Sequence, residues 1–178
     1  MKKYTYIGVC LLLFLFCYGC VNMHESQLES NKKRIDITKI PLTSALILGD
    51  LKAEKKVIIF TDPECPYCGR FHKVIKQISE KRKDIAFYIK MYPLEIHKDS
   101  YWKSKSIVCN NSLQLLEDCF DKKPIAKTDC KTKEVDNNLE LVESLGITKT
   151  PSIILPDGRL HMGGMPEEAL INLIDGKI

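Results

Sequence analysis

Two cysteines in the run Cys65-Pro66-Tyr67-Cys68 are the residues of this chain whose type and spacing could do chemistry. Thiols at that interval on a helix face the same way, so one can attack a disulfide and the other can release the product by closing an internal disulfide. The attacking species must be a thiolate. Lys56-Val57-Ile58-Ile59-Phe60-Thr61 is short, β-branched and apolar, as in a buried strand, and Phe71, Val74, Ile75 and Ile78 recur behind the cysteines at helical spacing. Pro66 suits the first helical position, which makes Cys65 the N-cap. There the free N–H groups of Tyr67 and Cys68 and the positive end of the helix dipole favour the anion. They should lower the thiol from about 8.5 into a range of roughly 3.5 to 7.5. Cys68, nearly one turn further on, is expected to lie deeper and to act as the resolving thiol.

Other chemistries use the same side chains. A static disulfide is one, and half a zinc site is another, although no second closely spaced cysteine pair follows. Cys68 and His72 share a helix face, so Cys65, Cys68 and His72 could hold a soft ion and make the chain a copper or zinc carrier. A fourth ligand is not evident, and the favoured reading is a dithiol with no metal and no cofactor. His97 and His161 are expected at the surface or in loops. Tyr101 and Trp102 are expected to cap the core or line the active-site face.

The compartment is read from the start of the chain. Lys2 and Lys3 precede an apolar stretch from Ile7 to Tyr18 that is short for a membrane span and shaped like a signal-peptide core, so residues 1–19 are expected to direct export. Cys17-Tyr18-Gly19-Cys20 resembles a bacterial lipoprotein processing site, with Cys20 becoming the lipidated first residue. It departs from the usual pattern in having Cys17 and Tyr18 where Leu and a small residue are common. Ordinary cleavage and an uncleaved anchor are the alternatives. In each case the dithiol faces an oxidising, extracytoplasmic space.

Of 178 residues, 159 remain without the leader, enough for one domain with a proper core. The leader carries two lysines and no acid, so the formal charge falls from +4 to +2, too mild to imply a nucleic-acid partner. Residues 20–34 read as a lipidated, polar tether and 35–178 as the domain.

Within the domain, Ile35 to Ile40 alternates like an edge strand and Leu42 to Leu51 could form a short helix. A strand at 56–61, a helix over 66–82 and a strand over 85–91 make a βαβ unit, which places the dithiol at the carboxyl end of a central strand. Residues 99–145 read as helical, with Cys109, Leu113, Leu116 and Phe120 on one face, a break near Lys122-Lys123-Pro124 and a second helix from Glu134 to Leu145. The chain returns through Ile147–Leu155, a turn at Pro156-Asp157-Gly158, a strand at 159–162 and a helix from Pro166 onward. The fold class is therefore α/β.

This succession looks like the thioredoxin fold with a helical insertion between the second active-site strand and the Thr-Pro strand. The stretch Phe60-Thr61-Asp62-Pro63-Glu64-Cys65-Pro66-Tyr67-Cys68-Gly69-Arg70-Phe71-His72 resembles the catalytic domain of periplasmic disulfide isomerases of the DsbC/DsbG type. Leu145-Gly146-Ile147-Thr148-Lys149-Thr150-Pro151-Ser152 with Leu155-Pro156-Asp157-Gly158 is similar to that family's second signature. The resemblance implies a cis Thr150-Pro151 bond facing the dithiol, and a substrate surface formed by Pro66, Tyr67, Thr150 and Pro151. It implies as partners exported proteins that contain cysteines, and a membrane thiol reductase or oxidase. Thioredoxins proper place a buried Asp six residues before the first cysteine. Ile59 stands there in this chain, as an apolar residue does in the isomerases, so the resolving step must use water or a nearby side chain as proton acceptor. The isomerases also carry a dimerisation domain, which does not fit between Cys20 and Ile35. The chain is therefore expected to be a monomer that oxidises or reduces accessible disulfides.

Three further cysteines remain within the domain, Cys109, Cys119 and Cys130. If 101–120 is one helix, Cys109 and Cys119 lie about 15 Å apart and cannot bond, so Cys130 pairs with one of them. The family's structural disulfide spans the insertion at a spacing resembling Cys109 to Cys130. That resemblance implies this pair and leaves Cys119 as a buried, inert thiol.

Overall fold

In the computed structural model of the chain, residues 34–177 are described. The expectations for the leader, Cys20 and most of the tether fall outside them.

A five-stranded sheet forms the centre, with β1 (Leu46–Leu48), β2 (Lys55–Thr61), β3 (Ile85–Met91), β4 (Ser152–Ile154) and β5 (Leu160–Met162) in spatial order β1-β3-β2-β4-β5. Only β2 and β3 run parallel, joined by helix α1 (Pro66–Lys81); the other neighbours pair antiparallel. Between β3 and β4 lie α2 (Ser100–Cys109), α3 (Leu113–Phe120) and α4 (Glu134–Ser144), and α5 (Glu167–Ile174) closes the chain.

The apolar character of β2 and β3 follows from burial on both faces. Val57, Ile59, Ile85, Phe87 and Ile89 point to one side and pack with Phe71, Ile75 and Ile78 of α1, Leu116 of α3 and Leu170 and Ile174 of α5. Ile58, Phe60, Ala86 and Tyr88 point to the other, where Val142 of α4, Ile147 and Ile154 cover them. Burying each such side chain contributes about 1.5 to 3 kcal/mol. The sheet thus holds β2, and the dithiol at its end, on a rigid base.

Three local expectations are corrected. Residues 35–40 do not form an edge strand. The Asp36 carboxylate accepts hydrogen bonds from the Thr38 N–H (3.1 Å) and hydroxyl (2.6 Å), closing a 3-10 turn over Ile37–Lys39. Leu42–Leu51 is not helical. Lys90, 2 % exposed, donates from Nζ to the carbonyls of Pro41 (2.8 Å) and Thr43 (3.4 Å), and the chain then turns into β1, which pairs with β3. Residues 101–120 are two helices rather than one. Asn111 adopts φ 46°, and Ser112 caps α3 by accepting from the Leu115 N–H at 3.2 Å. Cys109 therefore ends one helix and Leu113 begins the next.

The hairpin between β4 and β5 needs its glycine. Gly158 has φ +83°, its N–H donates to the Leu155 carbonyl (2.9 Å), and its own carbonyl accepts from the Ile35 N–H (2.9 Å). A Cβ there would collide with the Ile35 backbone.

Candidate active site

Where β2 ends, Thr61 and Asp62 are buried, and Pro63 and Glu64 turn the chain into α1. Pro66 opens the helix and Cys65 is its N-cap, with extended backbone angles (φ −76°, ψ 119°). Both cysteines are buried, at 5 % and 1 % exposure for Cys65 and Cys68, whereas Pro66 and Tyr67 between them are exposed. Tyr67 is held outward under the Arg70 guanidinium, 4.5 Å from the ring centre.

The two sulfurs have opposite electrostatics. The Cys68 thiol beside Cys65, then the N–H groups of Cys68 and Tyr67, bring the Cys65 thiol down from 9.0 to about 5, against the cost of burial. The Cys65 side chain makes no capping hydrogen bond. Burial, and then the neighbouring Cys65 sulfur, push Cys68 far up. At neutral pH the outer sulfur is an anion and the inner one holds its proton.

Thr150-Pro151 is a cis peptide bond at the start of β4, and the Thr150 carbonyl lies 3.8 Å from Cys65 Sγ. The structure thus brings Cys65, Cys68, Thr150 and Pro151 together, with Pro66 and Tyr67 on the exposed rim. It places Cys109 and Cys130 elsewhere, joined as a disulfide (S–S 2.03 Å) that ties the end of α2 to the segment leading into α4. Cys119 is a free, buried thiol that burial pushes up to about 11.

His72 does not turn to the thiols. Its Nε2 lies 3.2 Å from Glu117 Oε1 and its ring packs on Phe120. Among the described residues no group of three or more His, Cys, Asp or Glu side chains is placed to hold a metal ion. His161 is exposed on β5. His97 lies in the loop after β3, as expected, and its Nδ1 lies 2.8 Å from Asp62 Oδ2. Tyr101 and Trp102 do not cap the core. Tyr101 is exposed and donates to Asp136 (2.6 Å), while Trp102 donates to Asp99 (2.9 Å) with the Lys103 and Lys127 ammonium groups over its ring.

Sequence reasoning passed over Asp62. Its carboxylate is wholly buried and accepts from the Glu64 N–H (2.7 Å), the Ser100 hydroxyl (2.8 Å) and the Leu94 N–H (2.7 Å), with His97 beside it. The bond to Glu64 was legible as an aspartate bonding its own backbone two residues on, before a helix. The other partners come from the loop after β3 and from the first residue of α2 and could not be seen.

Residues 42–177 match the family of the thioredoxin-like domain. The chain belongs to that family. Among curated relatives of this thioredoxin-like chain, the thiol:disulfide interchange protein DsbG of Pseudomonas aeruginosa is 31% identical over 123 residues, covering 64% of this chain and 47% of the relative. The probable thiol:disulfide interchange protein DsbC of Bordetella avium is 24% identical over 138 residues, covering 76% and 48%. The chain spans about half the length of these relatives. The crystal structure of a disulfide interchange protein from Neisseria gonorrhoeae superposes with a TM-score of 0.65 at 26% identity, covering 77% of this chain and 97% of that one. The helical insertion of α2, α3 and α4 sits within the thioredoxin-like fold as expected.

Proposed function

We propose that this chain is an exported thiol:disulfide oxidoreductase that exchanges electrons with disulfides or thiols of extracytoplasmic proteins. The observation that carries the reading is Cys65. It is a thiol brought to about 5 at the start of a helix, 3.8 Å from the Thr150 carbonyl and backed by a protonated Cys68. The Cys65 thiolate attacks one sulfur of a substrate disulfide, forming a mixed disulfide and expelling the other sulfur as a thiolate, which takes up a proton. Cys68 then loses its proton, its sulfur bonds to Cys65, and the second substrate sulfur leaves with the electron pair. Two electrons have passed to the substrate, and the reverse sequence oxidises a dithiol.

A substrate strand would lie along Thr150 and Pro151, with exposed Pro66 and Tyr67 as its rim. Partners on this reading are exported proteins with cysteines and a membrane thiol reductase or oxidase, and the domain acts as a monomer. Residues 1–19 direct export and Cys20 carries a lipid that anchors the domain through a short tether. The charge pattern and apolar leader support that placement.

The test is reduction of insulin by the purified domain with a thiol donor, together with the reduction potential of the Cys65–Cys68 couple. Turnover that disappears in Cys65→Ser is expected. Turnover that persists in Cys65→Ser removes the mechanism, as does retention of stoichiometric metal by Cys65 and Cys68 in place of turnover. Palmitate incorporation that Cys20→Ser abolishes would support the anchor, and its absence from the wild type would remove it.

A further inference from the structure

Asp62 has no covalent part in the sulfur exchange between Cys65, Cys68 and substrate. It is a wholly buried carboxylate within six residues of both cysteines, and its own backbone N–H donates to Cys68 Sγ at 3.5 Å. Cys68 must become an anion as it attacks the mixed disulfide, or as it leaves in the reverse direction, in a setting where burial strongly disfavours that anion. With Ile59 buried in the apolar core, no acid stands on β2 where thioredoxins proper have one. A backbone N–H aimed at the sulfur is a donor that can stabilise the developing charge.

The carboxylate itself is occupied. Oδ1 accepts from the Glu64 N–H (2.7 Å) and the Ser100 hydroxyl (2.8 Å), and Oδ2 accepts from the Leu94 N–H (2.7 Å) and faces His97 Nδ1 (2.8 Å). Four partners saturate its lone pairs, so it is poorly placed to take the Cys68 proton directly. Instead it clamps two loops. Glu64 belongs to the loop that delivers Cys65, while Leu94 and His97 belong to the segment between β3 and α2 and Ser100 is the first residue of α2. Glu64 strengthens the join, since its carboxylate accepts from the Asp99 N–H (3.0 Å) and from Lys103 (2.7 Å).

We propose that Asp62 is a positioning residue for the resolving half of the reaction: its clamped carboxylate fixes the backbone so that its N–H supports the Cys68 sulfur as that sulfur gains charge. The inference rests on the dithiol reading, and it assigns the clamp of Asp62, Ser100 and His97 to Cys68 rather than to Cys65. No proton acceptor is required of the carboxylate. The proton of Cys68 passes to water or to the departing substrate sulfur.

The test separates the two halves. Mixing the reduced protein with excess 5,5′-dithiobis(2-nitrobenzoate) releases one coloured thiolate when Cys65 attacks and a second when Cys68 resolves the adduct. Wild type should show both phases. In Asp62→Asn and Asp62→Ala, which keep the backbone N–H but release the clamp that aims it at Cys68, the second phase should slow by about tenfold or more, the size expected when a hydrogen bond to a charged group is weakened, with the first phase within about threefold. Ser100→Ala, which removes one grip and leaves the Asp62 backbone untouched, should slow the second phase by a smaller factor. It keeps the question answerable if the Asp62 variants fail to fold. The pH midpoint of Cys65 alkylation should be unchanged in every folded variant. Equal slowing of both phases, or an unchanged second phase in Ser100→Ala and in any folded Asp62 variant, overturns the proposal. A wild-type protein that never releases the second equivalent removes the dithiol reaction itself, a failure distinct from failure of the clamp.

Discussion

The sulfur of Cys65 and the carbonyl oxygen of Thr150 lie 3.8 Å apart although 85 residues separate them. The Cys68 thiol, and then the first N–H groups of the helix, lower the Cys65 thiol, and the strand start brings backbone to it from a distant part of the sequence. Neither side of this junction makes a site alone. A thiolate with no adjacent backbone has nothing to align a substrate, and the Thr150 backbone has no reactivity of its own.

Cys65 should be alkylated by iodoacetamide with a pH midpoint of about 5, reaching its plateau below neutral pH. Cys119, held up at about 11 by burial, should react only after unfolding. Peptide mapping after a brief pulse at pH 6 is expected to find label on Cys65 alone. Equal labelling of both sites in the folded protein would contradict the electrostatic assignment.

His72 should make the domain acid-sensitive. Burial lowers its pKa below 6.5, with Lys76 adding to that and Glu117 partly opposing it. A base whose folded pKa is depressed leaves the unfolded chain binding more protons. Its contribution is therefore complete above the unfolded value of 6.5 and is lost as pH falls through the folded one. The urea midpoint should drop more between pH 7.5 and pH 5 in wild type than in His72→Leu. An equal drop in both would show that His72 carries none of the sensitivity.

At the far end of the sheet, Arg82 makes paired hydrogen bonds to Asp84 (2.8 and 2.7 Å) and to Asp175 (3.1 and 2.9 Å), and Lys55 reaches Asp175 at 2.6 Å. This network joins the start of β2, the end of α1 and the end of α5. Asp175→Asn should cost about 1 kcal/mol of stability, less in high salt, and should leave the rate of Cys65 alkylation unchanged. Denaturation curves with alkylation kinetics on the same samples check both halves.

The Cys109–Cys130 disulfide closes a loop with a sequence separation of 21. Replacing both residues by Ser should destabilise the domain by about 3 kcal/mol, chiefly by freeing the unfolded chain. Since the bridge lies outside the dithiol site, both phases of the exchange should survive in the folded fraction. Loss of the fast phase from folded protein would tie the insertion to the site.

The parts of this protein that are local were legible in its residues. The run Val57 to Phe60 reads as a strand buried on both sides, the spacing of Phe71, Ile75 and Ile78 as a helix, and Pro66 as a first helical position, because each depends on neighbours within a few residues. The lowered thiol at Cys65 follows only in part from a helix start, since its largest cause is the neighbouring Cys68 thiol. Misreadings arose where distant chain competes with local pattern. Lys90 draws the carbonyls of Pro41 and Thr43 to itself, and the unpaired edge of β3 takes up Leu46–Leu48 as a strand, so a segment with helical character becomes turn and sheet. The clamp on Asp62 is likewise a tertiary fact. An aspartate before a helix shows one hydrogen bond in sequence, and only the packing of the β3–α2 segment and the start of α2 against the β2–α1 loop supplies the Leu94, His97 and Ser100 contacts that bury it. Residue type and short spacing decide which atoms are reactive, because helix dipoles and propensities act over one or two turns. Which distant groups surround those atoms is decided by the closing of the sheet and its helices, since burial and charge pairing depend on distance in space and not along the chain.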